Sequence, residues 1–223
     1  MAKRKAMNET KMAIIREGTG MFLETGYSHT TIKAIGEKLK ISTGNITFYF
    51  PAKEHLLAVL VEWLCDFQWK MMNADWQSSQ MMALSMELMA MAAICEEDEI
   101  AKDFYISSYT HPVTLEIIRK SDCLRAKAVF ADYCGDWTDE QFAEAQVLVS
   151  GIEYATLMVT GESPSLEVRI AGALEQIMAI YGVPKNTRKR VIRDVMKQDY
   201  RGVGRRILAE FKHYVDEMRD SAG

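Results

Sequence analysis

An all-α fold is what the 223-residue sequence predicts, and three observations carry that prediction. Ala, Met, Leu, Glu and Lys, which lose little on entering a helix, are abundant. Prolines are few, at 51, 112, 164 and 184, so long helices are permitted between them. Apolar residues recur at three- and four-residue spacing, and alternating strand-like runs are lacking. A content of 48% hydrophobic and 26% charged residues is that of a folded globular chain and excludes wholesale disorder. No apolar run reaches the roughly 18–20 residues that span a bilayer. The basic start, Met1 to Lys5, has no apolar stretch or cleavage site after it, so the expectation is a cytoplasmic protein without membrane contact.

The elements follow in order. A first helix is expected from about Glu9 to Glu24, with Ile14, Ile15, Gly18 and Phe22 near one face and Gly26 as its stop. A short helix follows to Leu39, with Thr at its start and Ile32, Ile35 and Leu39 facing inward. Lys40-Ile41 makes the turn. Ser42 caps a very short third helix to Tyr49, which Phe50-Pro51 ends. A long helix from Lys53 reaches about Trp76. Further helices are expected near 79–95, 98–109, 113–134, 138–160 and 165–181. The last, 186–219, is expected to break at Gly202-Val203-Gly204. Three units are expected: 1–55, 56–184, and a C-terminal helical extension, 185–223, packed on the body.

Charge is distributed unevenly. Residues 1–55 hold 9 Lys and Arg against 5 Asp and Glu, residues 56–184 hold 7 against 20, and residues 185–223 hold 11 against 6. A basic amino-terminal segment on an acidic middle implies that one end of the molecule meets a polyanion. The basic tail is a second such surface or a solvated helix face.

Two short helices joined by a tight turn form a helix-turn-helix candidate. Ile32, Ile35, Leu39, Ile41 and Ile46 can pack with Ile15 and Phe22, holding the third helix proud of the surface. Its outer side carries Thr43, Asn45, Thr47, Phe48 and Tyr49, with no acid among them. Hydroxyl and amide groups on such a helix read base edges in a major groove. Thr31 and Ser42 stand at helix N-termini, where free N–H groups suit phosphate oxygens. Lys33 and Lys53 flank the helix and can neutralise phosphates.

The ordered run Ile14-Ile15, Met21 to Tyr27, Thr30-Thr31-Ile32, Ile35-Gly36, Ile41 to Ile46 and Tyr49 to Leu57 resembles the amino-terminal domain of the TetR family of transcriptional regulators. The resemblance implies that Thr43, Gly44, Asn45, Thr47 and Phe48 face the groove, and that Thr31, Ser42, Tyr49 and Lys53 touch the backbone. It also implies a homodimer on a palindromic operator in double-stranded DNA, and a second helical domain that binds a small-molecule effector and dimerises. The sequence departs from the family at three places. Lys40 stands where a turn glycine is usual, Thr47 where Tyr is usual, and Ala52 where a Ser or Thr cap is usual.

The middle is rich in Met and aromatic residues, which either line an adaptable apolar pocket or are simply core. Trp63, Phe67, Phe104, Tyr105, Tyr109, His111, Tyr133 and Tyr154 are the pocket candidates. Val147, Gly151, Ala155, Leu174 and Met178, on the two helices joined by residues 161–164, are the dimer-interface candidates. Cys65, Cys95, Cys123 and Cys134 are scattered without metal-ligand spacing, so reduced thiols and no metal are expected. No nucleophile elbow, phosphate loop or zinc-protease motif is present, so neither catalytic residues nor a cofactor are expected. The reading is a ligand-released repressor. The alternative is a helical protein-interaction module without DNA binding.

Overall fold

The computed structural model describes residues 2–76 and 79–221. Every regular element among them is a helix: α1 Ala2–Thr25, α2 Ile32–Leu39, α3 Thr43–Tyr49, α4 Lys53–Asp75, α5 Gln80–Glu97, α6 Glu99–Thr110, α7 Pro112–Val129, α8 Asp139–Leu157, α9 Leu166–Ile180, α10 Lys185–Val195 and α11 Tyr200–Ser221.

Local chemistry sets most boundaries. The side chains of Thr31, Ser42, Ser79, Asp98 and Thr138 accept N–H groups of the first turns of α2, α3, α5, α6 and α8. Each satisfies a donor that the helix start leaves unpaired. Thr138 and Gln141 form a reciprocal capping box. Ala52 gives α4 no side-chain cap. Pro112 opens α7 at a position where no N–H is needed.

One core runs through the chain. Ile14, Phe22, Ile35, Ile46, Leu56 and Leu60 are fully buried together between α1 and α4. The α4 helix packs on α7, α7 on α8, and α8 on α9. The tail is not an appendage: α11 lies along α5, α4 and α1, and buries Ile207, Phe211 and Val215.

Three expectations are corrected. Helix α1 begins at Ala2, not Glu9. Helix α7 ends at Val129 rather than reaching residue 134. The tail breaks at 196–199, and Gly202 and Gly204 lie inside α11. Gly204 is a contact residue: a Cβ there would stand 2.7 Å from the Ala90 carbonyl oxygen, so glycine lets α11 approach the α5 backbone.

The charge asymmetry also resolves partly inside the molecule. Arg201 and Arg205 donate to Glu97 at 3.0 and 2.9 Å, and Arg201 and Arg169 reach Glu96 at 3.2 and 2.9 Å. Arg206 pairs with Asp75. The two arginines hold the Glu97 carboxyl below its usual range. No helix among the described residues is long and apolar enough to cross a membrane.

Candidate functional site

The α2–α3 unit is built on a turn that only a left-handed residue can close. Lys40 takes φ 55° and ψ 39°, and the Ile41 N–H donates to the Gly36 carbonyl at 3.0 Å. A Cβ at Gly36 would come within 2.8 Å of the Ile41 oxygen, so the turn folds flat against α2 because Gly36 has none. Ile46 then drops fully into the core. The rest of α3 is left outside: Thr43, Gly44, Asn45 and Thr47 are exposed and Phe48 is 70% exposed. Tyr49 is half-buried, its ring edge-on to Phe48 at 5.0 Å. Thr31 and Ser42 are exposed as well as capping. Lys33 is exposed and only loosely paired with Glu37, at 3.7 Å.

Lys53 is half-buried at the start of α4. Its Nζ donates to the Tyr27 and Thr30 carbonyls at 2.7 and 3.0 Å and sits 3.8 Å from the Tyr27 ring centroid. Burial lowers its pKa, opposed by Asp103 and Glu54. It ties the start of α4 to the α1–α2 turn. The same turn is tied to α6: the Ser28 N–H donates to Asp103 at 2.8 Å, the Ser28 hydroxyl also reaches that carboxylate, and His111 stands edge-on to Tyr27 at 5.3 Å.

Helix α6 also borders the interior of the body. Two small adjoining cavities lie there, of about 30 and 40 Å³, room for a water or two each. The first is walled by apolar side chains of α5, α7, α8 and α9, with Asp122, Gln146 and Glu153. The second holds Glu87, Arg125, Gln68, Tyr105 and Tyr109. Arg125 donates to Glu87 at 2.9 Å and to Asp122 at 3.4 Å, and Tyr109 donates to Glu153 at 3.1 Å. Desolvation pushes the Asp122 and Glu153 carboxyls up.

Of the expected pocket residues, Tyr105 and Tyr109 line this space. The others lie elsewhere. Phe67 packs on Phe211 and Tyr214, and Phe104 on Phe211, because α11 covers them. His111 meets Tyr27, Tyr154 is half-buried with its ring 6.5 Å from that of Tyr109, and Trp63 and Tyr133 pack on the core outside both cavities. Sequence reading missed Glu87, Asp122 and Arg125. A lone acid inside the apolar run Ser85 to Ile94 was the available signal.

The interface candidates divide. Val147, Gly151 and Ala155 are exposed on α8. Leu174 and Met178 are 3% and 1% exposed and wall the first cavity, so they are not free to meet a second copy. The exposed face of α9 carries Val168, Gly172 and Ala179 instead.

An exposed, N-capped helix after a tight turn, held by a three-helix core, defines a helix-turn-helix protein. Residues 14–60 match the family described as bacterial regulatory proteins, tetR family. Over 60 residues the chain is 35% identical to an uncharacterized HTH-type transcriptional regulator, YuxN, of Bacillus subtilis (strain 168); the match takes in 27% of this chain and 21% of that protein. The fold as a whole resembles the ligand-free crystal structure of RolR, with a TM-score of 0.60 and 18% identity over 81% of this chain and 95% of that one. The TetR family protein CprB from S. coelicolor A3(2) aligns over 92% and 99% of the two chains at 20% identity and a TM-score of 0.40. The likeness to the tetR family is therefore carried by the amino-terminal residues 14–60, and the chain spans about a fifth of the length of the regulator it matches.

Proposed function

We propose that the chain is a homodimeric transcriptional repressor that holds a palindromic operator through two copies of α3 and lets go when a small molecule enters the body. The observation that carries this is the exposure of Thr43, Gly44, Asn45, Thr47 and Phe48 on a helix whose opposite side, at Ile46, is fully buried. Short polar groups and one aromatic ring, free of acid, suit a major groove. Thr31 and Ser42 bring helix N-termini to the phosphates, and Lys33 adds charge.

Release follows from the connections of α6. That helix borders the cavity through Tyr105 and Tyr109 and grips the α1–α2 turn through Asp103 and His111. A ligand that widens the cavity moves α6 and changes the separation of the two readers. It shifts the equilibrium only by its preference for that spacing.

Gel-shift titration against the DNA flanking its own gene tests the reading. A retarded complex that survives excess random DNA supports it. Equal affinity for random and flanking DNA at physiological salt removes it.

A further inference from the structure

We infer that the effector is a small organic cation, a primary amine on an apolar body, received between Asp122, Gln146 and Glu153. This rests on the reading of the body as an effector domain.

The chemistry of the wall makes the selection. The first cavity is bordered by apolar groups, the Asp122 and Glu153 carboxyls, the Gln146 amide and the Ser85 and Tyr181 hydroxyls, with no Lys, Arg or His among its walls. Asp122 and Glu153 border both cavities. Across the two, three carboxyls, Glu87, Asp122 and Glu153, face one guanidinium, Arg125, which is committed to Glu87 and Asp122. The partner of Glu153 is a neutral hydroxyl, that of Tyr109. The remaining titratable groups facing this space are neutral at physiological pH: Cys65 from α4, Tyr105 from α6, and Tyr181 after α9.

A second observation points to a missing donor. Gln146 is 2% exposed; its Nε2 donates to the Tyr181 hydroxyl at 2.6 Å, while its Oε1 has no partner. A buried acceptor left unpaired is costly. An ammonium carries three N–H donors and no acceptor. It answers Asp122, Glu153 and the Gln146 oxygen, while Leu88, Phe130, Ile177 and Met178 receive the apolar part. Met178 is flexible enough to give way as the space opens.

The competing chemistry is anionic. The open groove between α7 and α8, which shares Gln146 with the inner cavity, carries Arg119 and Lys120. The test therefore titrates the whole protein with benzylamine, benzyl alcohol and benzoate, which share a ring and differ in charge. At pH 7.5 benzylamine is expected to bind at least about tenfold tighter than either isostere. Its margin is expected to shrink toward pH 5, because both carboxyls hold protons at low pH and a cation prefers them ionised. Asp122→Asn with Glu153→Gln removes the margin of benzylamine over benzyl alcohol; where the double variant fails to fold, Glu153→Gln alone reduces it. Benzyl alcohol or benzoate binding as tightly as the amine, a margin independent of pH, or no saturable amine binding overturns the assignment. Operator gel shifts on the same samples separate the outcomes. Specific DNA binding without amine binding removes the cation assignment alone, and amine binding without specific DNA binding removes the repressor reading alone.

Discussion

Lys40 and Asn45 stand five residues apart and answer to different demands. Lys40 is the non-glycine residue with positive φ among those described. Its Cβ pays for the left-handed turn, so Lys40→Gly should stabilise the fold by about 1 kcal/mol, read as a higher urea midpoint at unchanged slope. An unchanged or lower midpoint means that the lysine stem recovers the strain elsewhere. Asn45 is exposed on α3, and the proposed function has it reach base edges while Lys33 meets phosphate. Asn45→Ala should relax sequence preference by about 1–3 kcal/mol at one position, while Lys33→Ala should weaken all sequences alike and flatten the salt slope by about 1. Specific and random DNA responding identically to the two substitutions would show the roles to be wrongly divided. Lys53 differs from Lys33 in that two of its ammonium donors are engaged by the Tyr27 and Thr30 carbonyls.

Elements were legible where the signal is local. Thr31, Ser42 and Pro51 mark helix ends by what they do to their own backbone, and the expected and observed α2 and α3 agree closely. Glycine is ambiguous by the same standard. Gly202 and Gly204 read as a break, yet Gly204 is there for the Ala90 carbonyl, a partner more than a hundred residues away. Gly204→Ala should push α11 off α5 and cost about 1–3 kcal/mol, measured by thermal unfolding, with Gly202 outside that contact. A neutral Gly204→Ala would mean that α11 rests only loosely on α5. The exposed side of α3 was legible for a related reason: one buried residue, Ile46, fixes which side faces out. The cavity was not legible. Glu87, on α5, and Asp122 and Arg125, on α7, meet Glu153 of α8 only in the folded chain. Two of the aromatic residues expected there, Phe67 and Phe104, were claimed by α11, whose Phe211 and Tyr214 have no local mark that sets them against Phe67.

At the scale of the whole molecule, one apolar surface has no use within a single chain. Val147 and Leu148 on α8 are 52% and 57% exposed, Met158 at the end of α8 is 46% exposed, and Val168 on α9 is 61% exposed. Gly151 and Gly172 lie among them, and a Cβ at either would meet nothing within 4 Å. Neither glycine is required by its own fold, but both permit close approach of another helix. In the proposed dimer, a twofold axis placing α8 and α9 against their copies would bury the same patch on both sides. Two linked readers bind a palindrome about 10²–10⁴-fold more tightly than one. Leu148→Glu, at a position exposed in the single chain, should leave the unfolding midpoint of the monomer intact and convert a sedimenting dimer to a monomer. Palindrome affinity should fall by about 10²-fold or more, while weak binding to an isolated half-site stays unchanged. A wild-type chain that sediments as a monomer at micromolar concentration, or a Leu148→Glu protein that keeps its palindrome affinity, would place the second reader somewhere other than across α8 and α9.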